Sequence, residues 1–513
     1  MKKLASVLDT PIRRRVFWPP FLLILTAVGT SIFSPAVFES SLDRLNTFIL
    51  DHFSLLFSYS SFAMVITCLL IVFSPLGKVR IGGKDARPKF NRISWFSIVL
   101  CTTVAVGILF WGSAEPLFHF LFPPSFTPFE GGEKEAAAFS MGAIFLHWGL
   151  TPYAIYAIPA LGIALAIYNA NLKFSLSSPL APLLGPYGRT KLASWIDMIC
   201  LFALVAGMSA SLGAGILSIS GGIADQWQSL NRDILLPLVT LAIICSFIVS
   251  ASSGIDHGIK NLSQLNFSFF VIFSIIILFI GPTSAIMEAA YTGAGNYLKN
   301  VLPLSLQWGD VRNSEWTQSW SVFNWANWMA WAPITALFLG KIAYGRTVRE
   351  FLLFTWLLPA CFCLFWMSIF GGSTLYYASQ SPELFKNLLE TSGPESIIYE
   401  VFGNIGHTEI LRPAFVIAMF ISYVTAADSS TEAMASLSMK KFSLEDFDSD
   451  TTLKVVWGML VGLLAWIMIT FAGIDGVKML SNLGGLPALL LLTGITISLN
   501  KLMWHPKKYL KRW

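Results

Sequence analysis

The chain is poor in charge. Only 12% of its 513 residues are Asp, Glu, Lys or Arg, while 55% are hydrophobic. A soluble domain carries about twice that charged fraction, so a water-soluble globule of this length is excluded. A soluble domain and low-complexity tracts are both lacking. No cleavable leader is expected, because residues 1–15 are basic and the apolar run that follows has no small-residue cleavage site. Cysteine is scarce. Cys68, Cys101, Cys200, Cys245, Cys361 and Cys363 all fall in apolar runs, which suits small buried residues rather than disulfides. Cys361 and Cys363 have no nearby His to complete a zinc set. The histidines (His52, His119, His147, His257, His407, His505) are scattered, so the residue cluster of a membrane-embedded enzyme is missing. We therefore expect no enzyme, cofactor, metal or nucleic-acid partner.

What the chain has is apolar windows of membrane length. Twelve spans are expected, near 16–35, 53–75, 95–120, 138–168, 192–221, 234–252, 264–288, 319–343, 350–372, 409–433, 455–473 and 480–500. This predicts an all-α polytopic membrane protein, one transporter-sized domain over 1–513 with the lipid bilayer as its first partner. The connecting loops alternate between basic (Lys78 to Arg92; Lys341, Arg346 and Arg349) and acidic or neutral (Glu130 to Glu135; Asp475). By the positive-inside rule both termini are cytoplasmic. Short surface helices are expected in both long outer loops, 289–318 and 373–408, as 382–389 and 393–401 suggest for the second. The loop 434–454 reads as a solvated connector.

The stretch from Trp320 to Glu350 is unusual for a lipid-facing helix. Trp320, Trp325, Trp328 and Trp331 spread along it, although tryptophan favours the membrane interface. Asn324 and Asn327 lie inside the apolar run, where a bare amide is costly. Asn324 and Trp328, like Asn327 and Trp331, are i,i+4 neighbours on a helix. Pro333 is expected to break it. One reading is a binding wall for an organic cation or zwitterion; the other is close packing with polar glue.

Span 4 adds Trp148, Tyr153 and Tyr156 around Pro152, with His147 and Thr151 one turn apart. These rings could complete a cation cage with span 8 or simply stack as core. In span 3, Glu115 precedes Pro116. It is a candidate ion or proton site, though a helix-end carboxylate bonded to backbone donors is the favoured reading. Span 5 is dense in small residues, including Gly207, Ser209, Gly213 and Gly215, which marks tight helix packing. On span 10, Thr425 and Asp428 are one turn apart. Their oxygens could bind a hard cation or a proton, or Asp428 could pin a helix break. Spans 3 and 8 both carry tryptophan and open successive five-span blocks, as in inverted-repeat transporters.

Several ordered blocks carry a resemblance. FWGSAEPL (110–117), HWGLTPYAIY (147–156), SLGAG (211–215), WANWMAWAP (325–333), GRTVREF (345–351), SIFGG (368–372) and ADS (427–429) are similar to the betaine/choline/carnitine transporter family. The resemblance runs from about span 1 to span 12. It implies a LeuT-like five-plus-five inverted repeat, spans 3–7 (95–288) and 8–12 (319–500), after a two-helix extension (1–94). It also implies a homotrimer in the bacterial cytoplasmic membrane. The substrate class it implies is trimethylammonium compounds and related zwitterions, held in an aromatic box. On matching positions that box is Trp148, Tyr153, Tyr156, Trp328 and Trp331; Tyr153 stands where Trp is usual.

The departures bear on substrate and coupling. Asn324 replaces an aromatic and Asn327 a tryptophan beside the box, leaving room for a more polar or less methylated, amino-acid-like substrate. A polar pocket left unpaired by the wrong substrate discriminates strongly. The hydroxyl pairs of sodium-coupled members are missing: Thr425 is followed by Ala426, the span 5 positions are Leu204 and Met208, and the glycine-rich stretch of span 3 reads Thr103 to Gly107. No Lys or Arg stands between Asn261 and Glu288, where exchangers of the family place an arginine. Coupling independent of sodium is expected, with Glu115, His147 or Asp428 as proton candidates. A long basic tail of the osmosensing type is missing, so no strong osmotic activation is expected. A substrate sensor that binds without transport is the remaining alternative.

Overall fold

The computed structural model describes residues 12–103, 107–173, 175–190, 192–226, 232–252, 258–439 and 450–511. These residues are almost entirely helical, with only two isolated β-bridges among them. Seven continuous helices are long and apolar enough to cross a bilayer, and two bent pairs raise this to nine. The helix Thr451–Trp504 contains two passes rather than one, because Gly473 leaves helical geometry (φ 51°, ψ −130°). A Cβ at Gly476 would lie 2.5 Å from the Met468 carbonyl oxygen, a contact possible only if the chain folds back. With Arg232–Ser252 and the helix ending in Phe323–Lys341, the described residues make twelve passes.

The interior is built around spans 4 and 8. In span 4 (Lys134–Trp148, then Leu150–Ala164), 94% of the most apolar window is buried, against 33% for Arg14–Phe33 at the periphery. Span 4 breaks at Gly149 (φ −97°, ψ −126°), just before Pro152. Span 3 is bent by 57° between Arg92–Thr103 and Gly107–Leu121. Span 8 begins with a π-helical stretch, Thr317–Val322, and runs on as Phe323–Lys341, packed against spans 4, 5, 11 and 12. A single wide turn re-aims side chains without ending the helix.

Three expectations need correction. Pro333 does not break span 8, since Phe323–Lys341 continues through it. The helix expected in the loop after span 7 is long rather than short, and it begins inside the range expected for that span: Thr283–Leu306, set at 111° to the helix before it. Of the two expected surface helices, Pro382–Thr391 is largely exposed, but Ile397–Ile405 is not. Ile397, Tyr399, Val401 and Phe402 are fully buried. Its apolar side packs on spans 3, 9 and 10, so burial on folding overrides its place in a polar loop.

The inner ends of spans 2, 3, 8 and 9 are tied by the GRTVREF block. Backbone bonds join Ile81 to Arg346 and Val79 to Val348. Gly345 has φ +82°, and a Cβ there would fall 2.3 Å from the Arg87 carbonyl carbon. Only glycine fits such a turn without strain. Arg346 lies 4.5 Å from the Trp95 ring centroid and pairs with Glu350 at 3.0 Å, which also takes Arg92 at 3.0 Å. Thr347 caps the following turn by accepting from the Glu350 N–H.

Candidate functional site

Three rings of span 4 converge on one ring of span 8. Trp328 lies 5.6 Å from Trp148, 5.4 Å from Tyr153 and 4.9 Å from Tyr156, centroid to centroid, all at steep interplanar angles. The cause is local. The break at Gly149 redirects Leu150–Ala164, and Tyr153 and Tyr156, three residues apart, then share a helical face. Gly107 leaves room for the cluster, since a Cβ there would be 2.8 Å from the Trp148 ring. All four rings are buried. The Tyr153 hydroxyl donates to the Cys363 sulfur at 3.2 Å. The Trp328 indole N–H is buried and has no partner among the described residues.

Trp331 stands on an adjoining face of span 8, against span 5. A Cβ at Gly207 would lie 3.4 Å from its ring. Asn327, half-buried, accepts from the Ser481 hydroxyl of span 12 at 3.2 Å. Asn324 donates from its amide to the Trp320 carbonyl, one turn back on its own helix, at 3.0 Å. The two amides thus find partners in different places, one across to span 12 and one within span 8.

Beside the aromatic cluster lies a polar one. Glu115 is fully buried. Its Oε1 meets His147 Nδ1 at 2.5 Å, and its Oε2 accepts from the Trp148 N–H at 2.7 Å. The backbone-bonded, helix-end account of Glu115 is therefore corrected: its partners are side chains of span 4, in the interior. His147 Nε2 contacts the Ser321 hydroxyl at 2.8 Å. His119, one turn after Glu115, places Nε2 3.5 Å from Oε1 and accepts the Trp316 N–H on Nδ1 at 3.0 Å. His119 also packs 4.6 Å from the Trp320 ring, and the Lys478 ammonium lies 4.4 Å from that same ring. Donor atoms of Glu115, His119 and His147 lie within 4.8 Å of one another, a spacing that would admit a metal ion. All of them except His119 Nε2 already have protein partners, so the cluster is built as a hydrogen-bonded acid.

His119 and Lys478 were not singled out in the sequence. The i,i+4 spacing of Glu115 and His119 was a signal for the first. Lys478, alone in a long apolar stretch, was a signal for the second.

The positions that would bear on sodium are apolar or engaged. Leu204 and Met208 are buried, and the Thr425 hydroxyl donates to the Ile421 carbonyl at 2.7 Å. Residues 104–106 and the side chain of Asp428 lie outside the described residues.

Comparisons with known proteins place this geometry in context. A family described as "BCCT, betaine/carnitine/choline family transporter" matches residues 15–508. A glycine betaine transporter of Bacillus subtilis, OpuD, is 30% identical over 500 residues, covering 95% of this chain and 94% of its own. Glycine betaine transporter 1 of Vibrio parahaemolyticus is 30% identical over 462 residues, with 89% and 86% covered. An ectoine/hydroxyectoine transporter of Virgibacillus pantothenticus is 25% identical over 503 residues, with 98% of each chain covered.

Proposed function

This chain belongs to the betaine/carnitine/choline family of transporters, and on that premise we propose that it carries a quaternary-ammonium or related zwitterionic solute by alternating access, without sodium coupling. The observation that carries the reading is the ring cluster at Trp328. Trp148, Tyr153, Tyr156 and Trp328 present π-faces and edges in a buried setting where spans 3, 4 and 8 meet. A desolvated cation is attracted to each ring face by about 2 kcal/mol. The Trp328 N–H, without a partner among the described residues, supports the same reading: a buried donor of this kind can be satisfied by an oxygen of the solute. Trp331 and Asn327 flank the cage toward spans 5 and 12. Asn324 belongs to the wall through its carbonyl contact rather than by a free amide.

Sodium independence is supported by the apolar burial of Leu204 and Met208 and by the Thr425 hydroxyl turning to its own helix. A hard cation needs several oxygen ligands, and of these three side chains only Thr425 carries one. We read spans 3–7 and 8–12 as the two repeats that rock against each other. The assembly we propose is a homotrimer in the bacterial cytoplasmic membrane, with both termini inside.

The test is substrate binding to the purified protein by tryptophan fluorescence, with and without Na⁺, followed by counterflow in proteoliposomes. Betaine, choline, carnitine and simple amino acids are compared. Binding and counterflow of a trimethylammonium solute, unchanged by Na⁺, are expected. Binding without counterflow would mark a sensor, and selective binding of an amino acid would mark a less methylated substrate.

A further inference from the structure

We propose that the Glu115–His119–His147 cluster, poised by Lys478, is a proton-binding site coupled to the solute cage through Trp148; the proposal rests on the transport reading above. The geometry supplies each part. A fully buried carboxylate held by His147 and the Trp148 N–H, with His119 Nε2 3.5 Å away, is built to change its protonation environment rather than to hold a helix end. Its two oxygens face different ways. Oε1 points to the histidines, and Oε2 holds the Trp148 N–H. The Trp148 ring is itself a wall of the cage, 5.6 Å from Trp328. One hydrogen bond therefore joins the charge of the cluster to the shape of the cage.

The proton's place follows from the hydrogen bonds. The Trp316 N–H donates to His119 Nδ1, so a neutral His119 carries its proton on Nε2, toward Glu115. A neutral His147 donates from Nδ1 to Glu115 and accepts from Ser321 at Nε2. The incoming proton binds His147 Nε2. The Ser321 hydroxyl then turns from donor to acceptor, and Glu115 remains as the fixed counter-charge. Release is the reverse, with the proton leaving from Nε2 and Ser321 donating again.

Among the described residues, the charged groups on the surrounding elements sort clearly. Lys478, across Trp320 from His119, opposes the added proton; Asp475, one turn before it, is exposed. Asp225 pairs with Arg412 at 2.6 Å, Glu400 holds Asn404, and Glu395 lies against Gly221, all in a separate outer group around Tyr399. Glu288 and Lys299 of the helix against span 4, and Asp51 and His52 of span 2, are exposed.

The experiment uses the full chain in sodium-free proteoliposomes, with labelled glycine betaine as probe and an inward proton gradient. Accumulation about fivefold above equilibrium, collapsed by a protonophore, is expected. In detergent, betaine should bind about tenfold more tightly at pH 6 than at pH 8, because a proton that favours solute is favoured by it in return. Glu115→Gln should flatten that profile. Lys478→Met should move its midpoint up by about one pH unit, since a repelling charge is removed; this variant keeps the test open if Glu115→Gln does not fold. A gradient-indifferent wild type that still performs counterflow would overturn the proton site and leave the transport reading standing. So would an unaltered pH profile in Glu115→Gln, or an unmoved midpoint in Lys478→Met. Failure of counterflow with every trimethylammonium solute would instead remove the transport reading beneath it.

Discussion

Span 8 and the block that follows it are built on opposite terms. In that block, Gly345 to Phe351, polar groups are matched with protein partners. Arg346 has Trp95, Glu350 and the Phe90 carbonyl; Arg349 has the Val72 carbonyl; Thr347 has the Glu350 N–H. Twenty residues earlier, Trp328 sits among three rings with its N–H unmatched. A buried polar group normally finds a partner when its only task is structure. The block after span 8 holds four spans together, while the rings around Trp328 converge in the interior; the Trp95 N–H beside Arg346 also lacks a partner among the described residues, so the converging rings, and not an unmatched N–H alone, set the two regions apart.

The sharpest way to break that comparison is Gly345→Ala. The residue has φ +82°, and the new Cβ would lie 2.3 Å from backbone atoms of Arg87 and Pro88. Neither obstacle is a flexible side-chain tip. We expect a loss of about 3 kcal/mol or more, combining left-handed strain with displaced backbone. The measurement is the thermal midpoint of the purified protein with solute absent. A midpoint within about 1 °C of wild type would mean the inner block is not a structural latch. Any loss of solute binding should follow the loss of fold and not precede it.

Trp328→Ala should behave in the opposite manner. It removes the ring on which the other three converge, so solute affinity should fall by about thirtyfold or more, roughly 2 kcal/mol. Packing loss will also lower stability, as for any large core truncation. Trp328→Phe separates the two effects, since it keeps a π-face and loses the N–H. Affinity for a carboxylate-bearing solute should then drop more than affinity for tetramethylammonium. Equal binding of all solutes in Trp328→Ala and wild type would remove the cage from the site.

These contrasts were unequally legible in the sequence. The twelve passes follow from apolar windows and the spacing of charges, because a bilayer imposes length and loop polarity on every helix. The cage was legible because Tyr153, Tyr156, Asn324 and Trp328 stand at helical intervals, and helical intervals decide faces. What was not legible is set by contacts between distant segments. The side-chain bonds of Glu115 come from span 4, beyond a long loop. Lys478 was hidden by averaging: one charge barely lowers the hydropathy of a 54-residue helix, and the fold-back at Gly473 decides where that charge lies. Ile397–Ile405 has Glu400 and Asn404 one turn apart on one face, but what its apolar face packs against is set by spans distant in sequence.

Asn327→Trp tests the flank of the cage, with a smaller effect. Asn327 is half-buried and bonded to Ser481, so a larger ring must displace that contact to reach the solute. Preference should move toward a fully methylated head over a primary amine by about fivefold, near 1 kcal/mol. Competition binding with betaine and glycine measures it. An unchanged ratio would mean that Asn327 serves the span 8–span 12 contact alone.

The smallest effect is expected at Asn324, and it tests the logic that separates span 8 from the block that follows it. Asn324 is 1% exposed and stands one turn before Trp328. Its amide nevertheless donates to the Trp320 carbonyl at 3.0 Å, inside its own helix. If satisfied polar groups are structural, Asn324→Leu should leave solute preference within about twofold of wild type, and change stability by about 1 kcal/mol or less. Leucine keeps the branched shape and the number of heavy side-chain atoms, and the helix carbonyl it frees keeps its backbone partner in the regular ladder. A change of substrate ratio by an order of magnitude would show that the amide leaves its helix when solute enters. Asn324 would then belong to the wall of the cage despite its partner within span 8.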